Sequence, residues 1–156
     1  MAKWLSDEMT TEKRKASIFG RTTNGPQAIS MEFIHATKVA PVGGHYSPAV
    51  VHNGLVYVSG ILPVTPSGDH LTNAPLALQA ETVFYTLRAI LLAANSAPDQ
   101  VLQVRIYLTD VNDWGDINRL YAAFFGDHKP ARAIVPVPAL HYGLRLELEA
   151  TAAVIY

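Results

Sequence analysis

Two charged side chains, Arg132 and Glu147, are the first candidates for chemistry because both lie among apolar residues. Arg132 is the one charged residue in residues 131–137, and a guanidinium is costly to desolvate there unless it is paired. Its planar fork can hold a carboxylate through two parallel hydrogen bonds. We therefore consider two interpretations: a clamp for an acidic substrate, or a structural ion pair across the sheet with Glu147 or Glu149.

Glu147 belongs to a segment, residues 144–149, in which leucines alternate with charged residues. In a strand, this period of two places the leucines on one face and the charges on the other. If water covers the charged face, Glu147 is an ordinary solvated carboxylate. If neighbouring subunits cover it, Glu147 near Arg132 becomes a candidate for holding and activating a water molecule. A Gly-rich segment with a tyrosine, residues 43–48 with Tyr46, completes the set of candidates.

Other classes of site lack their residues. The chain has no cysteine, which excludes disulfides, thiolate nucleophiles and Cys-ligated metals. Its six histidines show no paired metal-binding spacing, and there is neither a Gly-rich phosphate loop nor a G-x-S-x-G elbow. A formal net charge of -1, without a basic stripe, does not favour nucleic acid. We expect no metal, no cofactor and no nucleic-acid partner.

The elements that position the candidates indicate one α+β domain, since 156 residues suit a single core. Asn53-Gly54 between apolar runs predicts a hairpin, and helical spacing predicts two helices, capped by Asn73 and Asn112, with Gly126 ending the second. Strands are predicted at residues 49–51, 55–58, 101–108, 131–137 and 144–155, and prolines around the fourth place part of it at an edge or at a bulge. The order ββ-α-β-α-β-β favours both helices on one face of the sheet.

Residues 1–30 differ from the rest in being rich in Thr, Lys, Ser and Glu. We expect them to be an appendage, either a functional arm or an extension without a role, and the domain to span residues 31–156. They lack the apolar core of a secretory signal, and apolar stretches elsewhere are shorter than the roughly 20 residues of a membrane helix. We therefore expect no membrane partner and a cytoplasmic location.

Five motifs together resemble, in order and spacing, those of the RidA (YjgF) family of enamine/imine deaminases. They are G-G-H-Y-S-P-A (43–49), V-S-G-I-L-P (58–63), T-D-V-N-D-W-x-x-I-N-x-x-Y (109–121), K-P-A-R (129–132) and L-E-L-E-A (146–150). The resemblance covers about residues 33–156. It implies a chorismate-mutase-like fold with a mixed sheet, and a homotrimer whose sites lie in clefts between subunits.

The resemblance also implies a role for each candidate. Arg132 matches the arginine that grips the substrate carboxylate, helped by the backbone N–H of Gly60, and Glu147 matches the residue that orients the attacking water. Three further positions match pocket residues: Tyr46, Trp114 and Asn118. Departures from the family pattern, Ile134 for a common cysteine, Ile61 for a frequent glutamine and Pro136 for a frequent acidic residue, imply a more apolar pocket.

The implied activity is a cofactor-independent hydrolysis of reactive enamine/imine intermediates, of the 2-aminoacrylate or 2-iminobutanoate type, to 2-oxo acids and ammonia. Two alternatives stay open. One is deamination of a larger, ring-derived substrate of the 2-aminomuconate type, which Trp114 and Ile134 would suit. The other is a non-catalytic, ligand-binding trimer of the same fold, because fold does not fix function.

Removal of residues 1–30 is the test of the predicted domain boundary. Because the resemblance begins after this segment, the shortened protein should keep its oligomeric state in light scattering and its turnover of 2-iminobutanoate. A truncated protein that remains folded by circular dichroism but no longer assembles would show that the segment belongs to the functional unit.

Overall fold

The computed structural model describes residues 30–156; the predicted appendage, apart from Ser30, lies outside them. The described chain contains six strands and two α-helices in the order βββ-α-β-α-ββ, with one-turn 3₁₀ helices at Pro98–Gln100, Val111–Asp113 and His141–Gly143. The strands are β1 (Met31–Ile34), β2 (Ala49–His52), β3 (Leu55–Ile61), β4 (Val101–Leu108), β5 (Ala131–Pro136) and β6 (Leu146–Ala153), and the helices are α1 (Leu76–Ala93) and α2 (Trp114–Phe125).

The strands form one mixed sheet in the order β1-β2-β3-β6-β4-β5. Within the described residues β4 and β5 pair in parallel, and the other neighbouring pairs are antiparallel. The predicted hairpin is confirmed: Asn53 and Gly54 join β2 to β3 with positive φ values of 51° and 76°, the conformation that a tight hairpin turn requires. The prolines around β5 are tolerated because β5 is an edge strand, as predicted.

Both helices pack on the same face of the sheet, hereafter the helix face. Leu146 and Leu148 of β6 are fully buried there in a core that includes Leu87 of α1 and Ile117 of α2. Glu147 and Glu149, which alternate with these leucines along β6, lie on the opposite face, hereafter the open face, which neither helix covers. The mixed sheet with two helices confirms the predicted α+β class.

Two predicted helix caps are wrong. Helix α1 begins at Leu76 with Pro75 as its N-cap and no side-chain cap, so Asn73 lies too far ahead of the first turn to accept from it. Asn112 lies inside a 3₁₀ helix and donates its backbone N–H to Asp110, while Asp113 is the N-cap of α2. Strand β6 begins at Leu146 rather than residue 144, because the 3₁₀ helix His141–Gly143 occupies the approach to it.

Among the described residues, α1 is the one helix long and apolar enough, by length and composition, to pass as a membrane span. Of that segment 61 % is buried inside the fold, where it forms the core against the sheet.

An ion pair joins the strand that carries Glu147 to the helix that carries Trp114 and Asn118. Arg145 Nη2 lies 2.6 and 2.7 Å from the two carboxylate oxygens of Asp113, which is 8 % exposed. The backbone N–H of Arg145 donates to Gln79 Oε1 of α1 at 3.0 Å. Since charge-assisted bonds to a buried carboxylate are strong, this pair ties the residue before β6 to the N-terminus of α2, and the bond to Gln79 ties the same residue to α1.

Asp113→Ala should lower the free energy of unfolding by about 1.5–3 kcal/mol, because it removes two hydrogen bonds to a charged group. Asp116→Ala is the matched control, since Asp116 pairs with Arg119 where both side chains are 67 % exposed. It should cost less than about 1 kcal/mol. Urea unfolding of both variants at one protein concentration makes the comparison; equal losses would mean that the buried pair has no special role.

Candidate active site

The seven predicted site residues form two groups. Arg132, Asn118, Trp114 and Ile134 belong to β5 and α2 and make the arginine cluster. Glu147, Gly60 and Tyr46 belong to β6, β3 and the loop before β2 and make the glutamate cluster. The geometry of each cluster follows from strand register.

In the arginine cluster, Arg132 lies opposite Val104 of β4 in register. Val104 is fully buried in the core, and paired residues point to the same side of a sheet, so Arg132 points to the helix face. Its Nη2 donates to Asn118 Oδ1 of α2 at 3.0 Å. Its guanidinium carbon lies 4.5 Å from the ring centroid of Tyr121, one turn further along α2. Both contacts orient the guanidinium, and neither neutralises its charge.

The remaining members of this cluster are Trp114 of α2 and Ile134 of β5. Trp114 precedes Asn118 by four residues in α2, which places both on the same side of the helix; Trp114 is exposed. Ile134 pairs with Ile106 two residues after Arg132 and packs partly buried against the core. Ile134 therefore lies on the same face of β5 as Arg132.

The alternative of a structural ion pair between Arg132 and Glu147 or Glu149 is wrong. Both carboxylates lie on the open face, where Glu149 accepts from Arg105 Nη1 at 2.9 Å and from the Tyr107 hydroxyl at 3.2 Å. The register of β5 against β4 turns Arg132 to the other face, so the sheet itself separates the charges.

Tyr121, the last residue of the motif at residues 109–121, belongs to the arginine cluster, although it is not among the site residues predicted from the sequence. Burial raises the pKa of Tyr121 to about 12, which the Arg132 charge opposes, so the ring under the guanidinium is neutral at physiological pH. Its buried hydroxyl has no hydrogen-bond partner within residues 30–156. Its spacing of three residues from Asn118 was the signal available, because i and i+3 share a helix face.

In the glutamate cluster, the carboxylate of Glu147 lies against the bare backbone of Gly60. A Cβ atom at Gly60 would overlap Glu147 Oε1 and would lie 3.1 Å from the carboxyl carbon. This approach is possible because β3 has an irregular register between Val58 and Ile61, opposite β6. Gly60 therefore has a steric reason to be glycine.

The Glu147 side chain makes no hydrogen bond or ion pair within the described residues, in contrast to that of Glu149. Burial raises the pKa of Glu147 and the nearby Glu149 charge raises it further, while His141 opposes the shift. A carboxylate with a raised pKa accepts a proton more readily near neutral pH. In the part of the chain described, no group of three or more His, Cys, Asp or Glu residues could hold a metal ion.

Tyr46 and Gly60 line a cavity of about 520 Å³. Tyr46 is exposed, and its backbone N–H donates to the Gly44 carbonyl at 3.1 Å. The cavity also contacts His141, which opposes the rise in the pKa of Glu147, and it reaches Glu147 only through Gly60, because Glu147 itself does not line it.

Comparison with known proteins gives a consistent result. A sequence model of the family described as Endoribonuclease L-PSP, which is the RidA (YjgF) family, matches residues 37–154. The chain belongs to the RidA family. Protein HMF1 of Saccharomyces cerevisiae is 43 % identical over 108 residues, which cover 69 % of this chain and 83 % of HMF1.

Two further relatives are a protein named for a deaminase reaction and a crystal structure named RidA. The 2-iminobutanoate/2-iminopropanoate deaminase of Rattus norvegicus is 35 % identical over 125 residues, covering 80 % of this chain and 91 % of the rat protein. The crystal structure of RidA from the Antarctic bacterium Psychrobacter sp. PAMC 21119 superposes with a TM-score of 0.75 at 32 % identity, covering 79 % of this chain and 99 % of that one.

Gly60→Ala should lower the pKa of Glu147 toward its ordinary value. The new methyl group must displace the carboxylate from the Gly60 backbone toward solvent, and burial is the main cause of the raised pKa. Gly115→Ala is the matched control, because a Cβ there meets nothing within 4 Å. Carbon-13 NMR titration of the glutamate carboxyl groups measures both; an unchanged Glu147 titration in Gly60→Ala would disprove the close approach.

Proposed function

We propose that this RidA-family protein is a hydrolytic deaminase that needs no cofactor. It converts reactive enamine/imine intermediates, of the 2-aminoacrylate or 2-iminobutanoate type, to 2-oxo acids and ammonia. The observation that carries the proposal is a pair of complementary groups without ionic partners among the described residues: the oriented Arg132 guanidinium and the half-buried Glu147 carboxylate. The name of the rat relative supports the reaction class.

Arg132 binds the substrate carboxylate. One N–H of Arg132 Nη2 donates to Asn118, and the Tyr121 ring covers one face of the guanidinium. The other N–H groups remain available to donate two parallel hydrogen bonds to a carboxylate. The backbone N–H of Gly60 supplies a further donor. Together they fix the C=N group next to the carboxylate, and such positioning lowers the barrier to attack.

Glu147 activates the water. The imine carbon is already electrophilic, so the protein has to aim a water molecule and remove its proton. Glu147 accepts that proton as the oxygen bonds to carbon, and then passes it to the imine nitrogen, which becomes an amine. The hydroxyl proton of the resulting carbinolamine passes through Glu147 to the amine nitrogen, and ammonia leaves as the C–N bond breaks and the C=O bond of the 2-oxo acid forms.

The site takes its two halves from neighbouring subunits of a homotrimer. Arg132 points to the helix face and Glu147 to the open face of the same sheet, so one chain cannot present both to a small molecule. A cyclic assembly that repeats one heterologous contact brings the arginine cluster of one chain to the glutamate cluster of the next. The number of subunits, three, is inferred from the family resemblance, and so is the chorismate-mutase-like fold.

A larger substrate of the 2-aminomuconate type is the second candidate, favoured by the size of the cavity beside Gly60. A ligand-binding trimer without catalysis would bind 2-oxo acids and release no ammonia from any imine. Ammonia release from freshly generated 2-iminobutanoate and from 2-aminomuconate therefore separates the three functions.

Two single variants test the assigned roles. Arg132→Lys keeps the charge but loses the planar guanidinium and its two parallel hydrogen bonds, so kcat/KM for 2-iminobutanoate should fall roughly 30-fold or more.

Glu147→Gln keeps the size of the side chain but cannot accept a proton. We expect kcat to fall about 10²–10⁴-fold, while the affinity for 2-oxobutanoate and the melting temperature stay the same. Wild-type kinetics in either variant would remove that residue from the mechanism.

Mixed oligomers test the shared site. Each single variant retains the half-site that the other lacks, so co-expression of the two in equal amounts should restore about a quarter of the sites. Activity well above the sum of the separate variants is expected. Activity equal to that sum would mean that the two residues act within one chain or not at all.

A further inference from the structure

We propose that the cavity beside Gly60 and Tyr46 is a subsite for the substrate side chain, and that the preferred substrates are 2-imino acids with an aromatic or long apolar side chain. The inference rests on the proposed function and refines its substrate. In this proposal the substrate side chain is bound by residues of the segments 39–48 and 61–70 and by residues of the 3₁₀ helix His141–Gly143 that precedes β6.

The volume of the cavity exceeds the need of a short imino acid. At about 520 Å³ it falls within the range of roughly 300–1,000 Å³ that holds drug-sized ligands. A three- or four-carbon imino acid held by its carboxylate near Gly60 would leave most of this space filled with water. A benzyl or isobutyl group on the same imino acid would displace that water.

The chemistry of the lining matches an apolar group. Most of the lining side chains are aliphatic, and they include Val39, Pro41, Val42, Ile61, Leu62 and Ile90. None of the described residues around the cavity is Asp, Glu, Lys or Arg. A side chain with its own carboxylate, as in 2-aminomuconate, would therefore find no fixed positive charge, whereas burial of apolar surface is favourable.

A stacked pair of rings forms one part of the lining. The His70 and Tyr142 rings, which also line the cavity, lie 3.7 Å apart between centroids at an interplanar angle of 16°. Tyr142 remains 57 % exposed, so the fold does not cover this ring. Flat rings of this kind pair favourably with an aromatic group of a ligand.

The backbone holds Tyr142 in an uncommon conformation. Its φ of 62° lies in the left-handed region, which non-glycine residues rarely adopt, and Thr72 Oγ1 donates to its carbonyl at 2.7 Å. Conformations of this kind cost free energy and concentrate at ligand sites. The contact with Thr72 and the stack on His70 together fix the tyrosine beside the cavity.

The test compares kcat/KM for imines generated from alanine, leucine and phenylalanine. The phenylalanine-derived imine should exceed the alanine-derived one at least 10-fold. Val42→Trp, which fills the cavity, should lower that ratio at least 10-fold, whereas Leu92→Trp, a matched change on an exposed residue of α1, should not alter it. A wild-type ratio of one or less, or a ratio that Val42→Trp leaves unchanged, overturns the subsite.

Calorimetric binding of 2-oxo acids separates this inference from the proposed function. Phenylpyruvate should bind more tightly than pyruvate, and Val42→Trp should remove the difference. If no imine is hydrolysed but this preference is present, the deaminase function fails and the subsite stands. If short imines are hydrolysed without any aromatic preference in turnover or binding, the function stands and the subsite fails.

Discussion

The alternation of side chains along a β-strand is the constraint on which the rest of this molecule depends. Strand β5 pairs with β4 so that Arg132 follows Val104 to the helix face, while β6 pairs with β4 so that Glu147 follows Tyr107 to the open face. A shift of either register by one residue would bring both charges to the same face. The observed registers therefore keep the two charges on opposite faces within one chain.

Holding a guanidinium without a carboxylate requires other contacts. Arg132 obtains them from α2, through the amide oxygen of Asn118 and the ring of Tyr121. The amide oxygen and the aromatic ring are both uncharged, so they orient the guanidinium without neutralising it. Its positive charge remains available to bind an anion. Since α2 is itself held to β6 by the Arg145–Asp113 pair, the position of Arg132 depends on the packing of the whole helix layer.

Local signals in the sequence predicted most of the fold. Asn53-Gly54 fixed the hairpin and the leucine alternation fixed the buried face of β6, because each depends on neighbours in the chain. The site was less predictable. The face that Arg132 occupies depends on a parallel pairing between distant strands, and the approach of Glu147 to Gly60 depends on an irregular register in β3. Neither has a local signature, so an Arg132–carboxylate bridge and a solvated Glu147 stayed open from sequence alone.

The two glutamates of the L-E-L-E segment show how cross-strand neighbours decide what a residue can do. Glu149 lies opposite Arg105, and the Tyr107 hydroxyl reaches it diagonally, so its charge is balanced by a salt bridge and a hydrogen bond. Glu147 lies opposite Tyr107, yet that hydroxyl turns to Glu149 and leaves Glu147 over the Gly60 backbone without a partner in the described chain. Burial and the charge of Glu149 then raise the pKa of Glu147. Identical residues two positions apart therefore differ in chemistry. The Glu149 carboxylate is held by Arg105 and Tyr107, whereas the Glu147 carboxylate has no partner in the described chain and can accept a proton.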